Sequence, residues 1–531
     1  MSSYAKAFEN APEYREPIDL SIRGVIPSWL SGVLYRTGPG TTRIPATSDP
    51  TKIIDIQHWF DGLAIHHRFE IFVGGKRVSY CSRKGAEDLE KRIADTGEYP
   101  GVSFGQRGDP CRGIFRKFFT VWETMRILAS PLSPSMVNIS VTLTPNMPGL
   151  NTEGLGLTSS SGARYIVAKT DASALQLVDP NTLEPLLSAS YQDIDPRLNG
   201  PLSAAHSCRD QETGDFYNYS LAFGGRLPTY KVFRIRGRDG SVDILAEIKD
   251  APPAYIHSFA MTQRYIILCI WQAHIKHWGL SIPLNKNMTD SIDTSWKPHV
   301  DTVFYVVDRI KGGIVSKYKV WILDTPPFFC FHHLNSFDDP ETGDIIIDMS
   351  IYPDNKIIDL LYLQHLRSSD ENHHSSTVCA RRFRLLSPGR PETRDAIVEF
   401  TRPQTEGIEL PVVAPQVQGK VYRYAYGINS SDSRANHTLA DGLIKLDMSS
   451  EAAASKVWRL PGHIPSEPIF VPRPGAVNED DGVLLSVVLD EQGERSAMVV
   501  LDAATMTEVA RAELPYVFPI GFHGVWTEWN S

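Results

Sequence analysis

The chain has 531 residues, enough for about three domains of ordinary size or for one large β domain. Hydrophobic residues make up 42% and charged residues 22%, an ordinary balance for a soluble globular protein. Lys and Arg number 53 against 62 Asp and Glu, and the resulting charge of −9 argues against a nucleic-acid binder, whose footprint is usually basic. No apolar run reaches the ~18 residues of a spanning helix. The polar start, MSSYAKAFENAPEY, lacks the apolar core of a secretory leader. The six cysteines (Cys81, Cys111, Cys208, Cys269, Cys330, Cys379) form no CxxC pair and are too sparse for a disulfide scaffold. A reducing, cytoplasmic location is therefore expected.

In chain order, LAIHHRFEIFV, Gly74-Gly75 and KRVSYCSRKG read as a hairpin. Ile114 to Leu128 reads as a helix, with Phe115, Phe118, Phe119, Trp122 and Met125 along one broad side. VDPNTLEP, DQETGDFYNY, KVFRIRGRDGSVDIL, DDPETGDIIID and LDAATMTEVA each place Asp and a small or turn-forming residue between two strand-like runs. IIDLLYLQHLR (357–367) reads as a second helix, and SSDENHHSST after it as a surface loop. Strands at this spacing predict a sandwich, barrel or propeller. A propeller best hides so many strand edges in one unit. No exact repeat is visible, so a WD40-type array is not expected. The reading is one unit over residues 1–531.

Sixteen histidines are present, and most read as ordinary surface or core residues. His66, His67, His373 and His374 are placed in that group. Four others differ: His206 in SAAHSC, His257 in AYIHSFAM, His332 in FFCFHHLN and His523 in PIGFHGVW. Each sits beside a strand-like apolar run, so a closed β architecture can bring all four to one point. Imidazole is the commonest metal ligand and suits Zn, Cu, Fe and Ni. With no Cys or carboxylate in the set, redox-active iron is the best candidate.

The strings around these histidines resemble the ligand segments of the carotenoid cleavage oxygenase family. The resemblance continues in LSGVLYRTGPG (30–40), HWFDGLAIHHRFEI (58–71), GDPCRGIF (108–115), ELPVVAPQVQGKVYRYAYG (409–427) and PSEPIFVPRPGAVNEDDGVLLSVV (465–488), and covers essentially the whole chain. It implies an all-β-dominated, seven-bladed propeller with a helical and loop dome, drawn from 109–150 and 350–375, over an axial Fe(II). The family's His-x-x-Asn pattern selects His332 over His333. Carried over by motif, Glu409 supports His332, Glu467 supports His523 and Asp171 supports His257. Members usually have Glu at that last position, so a water-bridged contact or a backbone shift is expected at Asp171. Thr170 falls beside the open iron site.

The implied reaction is cleavage of a C=C bond with O2 as co-substrate, giving two carbonyl products. SMVNISVTLTPNMPGL and SAAHSCRDQETGDFYNYSLAFGG resemble segments of fungal torulene- or apocarotenoid-cleaving members. The stilbene-cleaving branch uses a Lys where Thr170 stands. Here Lys169 is one residue earlier, and one residue on a strand turns the side chain to the other face. That favours a carotenoid or apocarotenoid over phenolic alkenes such as stilbenes, isoeugenol and vinylguaiacol. Non-oxidative retinoid isomerisation and a non-enzymatic propeller are the remoter alternatives. Phe259, Phe328, Phe329, Phe331, Phe522 and Trp526, close to the ligands in sequence, are candidates for the substrate tunnel. Cys111, Phe115, Phe118, Phe119 and Trp122, with nearby basic residues, are candidates for a peripheral membrane patch.

Overall fold

The computed structural model describes residues 3–107, 133–157, 162–223, 227–295, 300–320, 328–368, 378–389, 393–431 and 439–529. The expected hairpins form where their turns are written. Leu63–Ile71 pairs with Val78–Lys84 across the Gly-Gly turn. Thr229–Ile235 pairs with Val242–Ile248 around Asp239-Gly240. In the other turns Asp179, Asp210, Asp339 and Asp502 accept from backbone N–H groups two or three residues on. The carboxylate thus supplies locally the acceptor that the turning backbone lacks.

These hairpins assemble into an all-β-dominated, propeller-like fold. Strand pairing gives six sheets of four or more strands, and so corrects the expectation of seven separate blades. Ile314–Val320 pairs in parallel with Thr393–Thr401, and this bond ties two antiparallel four-strand runs into one eight-stranded sheet. The ring is closed by residues far apart in the chain. Gly32–Thr41 pairs with Gly524–Glu528. Ser21–Gly24 pairs with Thr507–Glu513.

Around the axis, edge strands touch one another in turn. Ala260–Met261 meets Phe329–Asp338, which meets Glu409–Val413; the contacts continue through Ile469–Pro472 and Gly524–Glu528 to Thr142–Pro145. An edge strand carries unpaired backbone groups, and gathering the edges at the centre hides them.

The helical elements are short. The expected 357–367 helix is interrupted, forming only Ile357–Leu360 and Leu363–Leu366. The break has a tertiary cause. Trp59 N–H donates to Leu361 O, and Leu363 N–H donates to Gln57 O, so both backbone groups are taken by the 57–59 segment. In the other dome stretch, Thr142–Pro145 is a sheet strand rather than a dome element. The 114–128 helix, with Cys111, Phe115, Phe118, Phe119 and Trp122, lies outside the described residues, as do His373 and His374. Among the described residues, no helix is long and apolar enough to cross a membrane.

Candidate metal centre

Each of the four histidines lies on, or just before, a strand at the edge of its sheet. His206 precedes Cys208–Arg209, His257 precedes Ala260–Met261, His332 lies within Phe329–Asp338 and His523 precedes Gly524–Glu528. Because the edges meet at the axis, the ligating nitrogens of all four lie within 4.8 Å of one another. His206 and His523 are closest, with their Nε2 atoms 3.0 Å apart. Two imidazoles bound side by side to one ion at about 2.1 Å place their nitrogens about 3 Å apart.

Three carboxylates orient these rings. His257 Nδ1–H donates to Asp171 at 2.9 and 3.0 Å, His332 Nδ1–H to Glu409 at 2.5 Å and His523 Nδ1–H to Glu467 at 2.6 Å. With Nδ1 as donor, Nε2 of each ring is bare and free to ligate. His332 Nε2 is buried with no hydrogen-bond partner among the described residues, as an unsatisfied metal-binding atom would be. The donor set and its supports therefore fit a divalent metal.

Asp171 corrects the expectation of a bridging water. Both of its oxygens reach His257 directly, and it also accepts from Tyr255 OH at 2.8 Å and Ala205 N–H at 3.2 Å. His333 is turned away, its Nδ1 2.8 Å from Ser258 Oγ.

The protonation pattern follows from burial. Burial first, then the other three imidazoles and Lys169, hold His206 well below the ordinary histidine range. Burial also lowers His523, against the opposing pull of Glu467. Burial pushes Glu409 up, but its contacts with His332 outweigh this and keep it below its usual value. A dication requires neutral imidazoles, and the depression of His206 and His523 serves that requirement.

The seat of His523 was written in RTGPG without being readable there. Thr37 exchanges backbone hydrogen bonds with this segment, accepting from Phe522 N–H and donating to His523 O, both at 3.0 Å. A Cβ on Gly38 would stand 2.5 Å from Gly521 Cα, so only glycine allows the approach. Arg36, fully buried, donates to Glu467 O at 2.9 Å and so fixes the carboxylate's own backbone.

Two cavities reach the imidazoles. One, of about 460 Å³, is bounded by Trp59, Phe60, Val141, Phe331, Tyr352, Ile357, Leu360 and Phe522, with His257, His332 and His523 at its base. The exposed Gln404, Thr405 and Ser431 also line it. The other, of about 690 Å³, includes Thr142, Lys169, His206, Ser207, Asn335, Gln418 and Glu467.

This division sorts the tunnel candidates. Phe331 and Phe522 line the first cavity, Phe259 and Trp526 the second, and Phe328 and Phe329 neither. At His332 and at His523 the chain passes from one cavity to the other. Phe331 and Phe522, just before His332 and His523, face one side; Ser258, Phe259, His333 and Trp526, after their ligands, face the other. Thr170 lines neither cavity, whereas Val141 lines the first. Trp59, Phe60, Val141 and Tyr255 were missed; the first two stand in the HWFDG string, between His58 and Asp61.

A ring of β-sheets whose inner edges present four imidazoles, three of them braced by carboxylates, defines a four-histidine metalloprotein of propeller-like fold. The chain belongs to the RPE65/carotenoid oxygenase family, since the family model described as retinal pigment epithelial membrane protein matches residues 7–528. It is 36% identical to a torulene dioxygenase of Fusarium fujikuroi, over 98% of this chain and 92% of the relative. It is 34% identical to a carotenoid dioxygenase of Neurospora crassa, over 98% of this chain and 90% of that one. Among solved structures, a point mutant of Synechocystis apocarotenoid oxygenase superposes with a TM-score of 0.73 at 22% identity, covering 99% of this chain and 98% of its own. The cobalt-substituted form of the same oxygenase gives 0.72 with the same identity and coverage. At that identity the likeness speaks for the fold.

Proposed function

We propose that this protein is an Fe(II) dioxygenase that cleaves a C=C bond of a carotenoid or apocarotenoid with O2, giving two carbonyl products. The observation that carries the reading is the first cavity. It is walled mainly by aromatic and aliphatic side chains, ends on three imidazoles, and has no Lys or Arg among its described lining residues. The fungal relatives named for torulene and carotenoid cleavage support the substrate class.

Iron held by His206, His257, His332 and His523 would supply the redox chemistry toward O2. The remaining work belongs to the chain. Trp59, Phe60, Phe331 and Phe522 exclude water and hold a flat polyene. Glu409, the one carboxylate among the described residues lining the cavity, bonds to His332 through Oε2. Lys169 supports the choice of polyene over phenol, because its amine faces the second cavity and bonds to Ala205 O and Ser207 Oγ.

The test is product analysis by mass after incubation with β-carotene, torulene, apocarotenals, resveratrol and isoeugenol. Carotenoid-derived aldehydes are expected, and cleavage of the phenolic compounds alone overturns the substrate class. Oxygen-18 from O2 is expected in both carbonyl products when they are reduced at once to alcohols; an uncleaved, unlabelled isomer as the product would mean isomerase chemistry.

We also propose peripheral docking on a lipid surface from a reducing cytoplasm. The exposed Trp278, Leu280 and Leu284, with Lys276 and Lys286 beside them, support the docking face. Five free cysteines among the described residues fit the compartment. Changing Trp278 and Leu280 to Ser should reduce liposome flotation, and unchanged flotation sinks this face.

A further inference from the structure

His206 stands apart from its three partners, for no carboxylate meets its ring among the described residues. Its support comes instead through the backbone on either side. Lys169 Nζ donates to Ala205 O at 3.4 Å and to Ser207 Oγ, so one amine ties together the two immediate neighbours of the ligand. The same Ala205 carbonyl accepts from Thr142 Oγ1 at 2.7 Å, and Ala205 N–H donates to Asp171 at 3.2 Å. Lys169, the last residue of strand Ile166–Lys169, and Asp171, two residues on, therefore both act on the 205–207 segment.

The amine has no evident reason to be there otherwise. Lys169 is 2% exposed, and no carboxylate pairs with it among the described residues. Its remaining close neighbour is the ring of Phe216, 5.3 Å away. Burying an amine without a counter-ion is costly, and the alkene cavity does not contain it.

We propose that Lys169 is a positioning residue for His206, fixing the aim of the one imidazole that has no carboxylate by clamping Ala205 and Ser207. The inference rests on the four-histidine metal reading. It does not depend on the charge of the amine, since NH3+ and NH2 both carry enough N–H groups to serve two oxygens.

The experiment titrates Co(II) alone into metal-free full-length protein, following affinity and the visible d–d bands. Lys169→Met removes both donors at similar length, and Lys169→Gln restores an N–H donor without charge. Lys169→Met is expected to bind Co(II) 10- to 100-fold more weakly, the usual effect of losing a ligand's outer support, with shifted bands. Lys169→Gln is expected to recover most of the affinity. With iron loaded, kcat should fall in Lys169→Met while KM for the alkene stays put.

Wild-type affinity and bands in folded Lys169→Met overturn the proposal, even if its melting temperature drops. If that variant does not fold, Thr142→Val, which removes a second bond to the same carbonyl, must weaken Co(II) binding in the same direction. Unchanged binding in Thr142→Val and Lys169→Gln alike, with Lys169→Met unfolded, also overturns it. A wild-type protein that takes up no Co(II) overturns the metal reading itself, a result distinct from failure of the lysine's role.

Discussion

On one face of the four imidazoles lies a cavity of about 460 Å³, walled by Trp59, Phe60, Phe331, Leu360 and Phe522. On the other lies a larger one, about 690 Å³, bordered by Lys169, Ser207, Asn335, Gln418 and Glu467. If size chose the substrate side, the second would win. On the proposed carotenoid reading, lining decides instead, because an apolar polyene gains on the order of 25 cal/mol for each Å² taken from water and finds more apolar wall in the first. The second cavity holds groups that brace the ligands, Lys169 and Glu467 among them. One face receives and the other supports.

The largest break in that comparison comes from the ring shared by both faces. Replacing His332 with Ala should abolish metal binding and activity together, read by metal content and product formation. Replacing Glu409 with Gln leaves the ligand but weakens its brace, and should lower metal affinity 10- to 100-fold, read by Co(II) titration. An unchanged affinity would deny the carboxylates their role.

A paired test then separates the faces. Leu366→Arg, in the first cavity, should raise KM for an apocarotenal about tenfold or more, as a charge in an apolar site must be paid for in binding. Gln418→Arg, at the exposed rim of the second, should leave KM within about twofold. Reversal of the two outcomes would exchange the assignments.

The smallest effect is in pH. His206 and His523 are depressed below the unfolded histidine value near 6.5. As pH falls through about 6.5 the unfolded chain therefore takes up protons that the folded one does not, and stability declines with acidification. Glu409, also depressed, adds stability above the unfolded carboxylate value that is lost as pH falls through its folded one. The melting temperature of metal-free protein should drop a few degrees between about pH 7.5 and 5.5. His206→Gln should flatten that slope, and a slope unaltered by it would mean that other groups carry the titration.

What could be read from the chain was mostly local. Asp339 and Gly343 are near neighbours in sequence and in their turn, so the turn is legible. His523 and its flanking Phe522 are adjacent, so the ligand string is legible. Sidedness was not. Phe331 and Phe259 are both close to ligands, yet they face opposite cavities, because one precedes its histidine and the other follows. Strand alternation separated Lys169 from Thr170, but did not tell that Lys169 would line a cavity and Thr170 would not. The break in the 357–367 helix depends on the carbonyl of Gln57 and the N–H of Trp59, hundreds of residues away, and no local pattern encodes it. Arg36 and Gly38 were visible as letters whose purpose appears only when strand Gly524–Glu528 lies against them.

That last pairing has a consequence for how the protein is made. His523 is held against strand Gly32–Thr41, and its three fellow ligands are translated long before it. While elongation is short of residue 523, the nascent chain can offer three imidazoles at most. Closure of the ring also joins strands from opposite ends of the chain, which loop entropy places late in folding. The complete set of four imidazoles therefore exists only after the ring has closed.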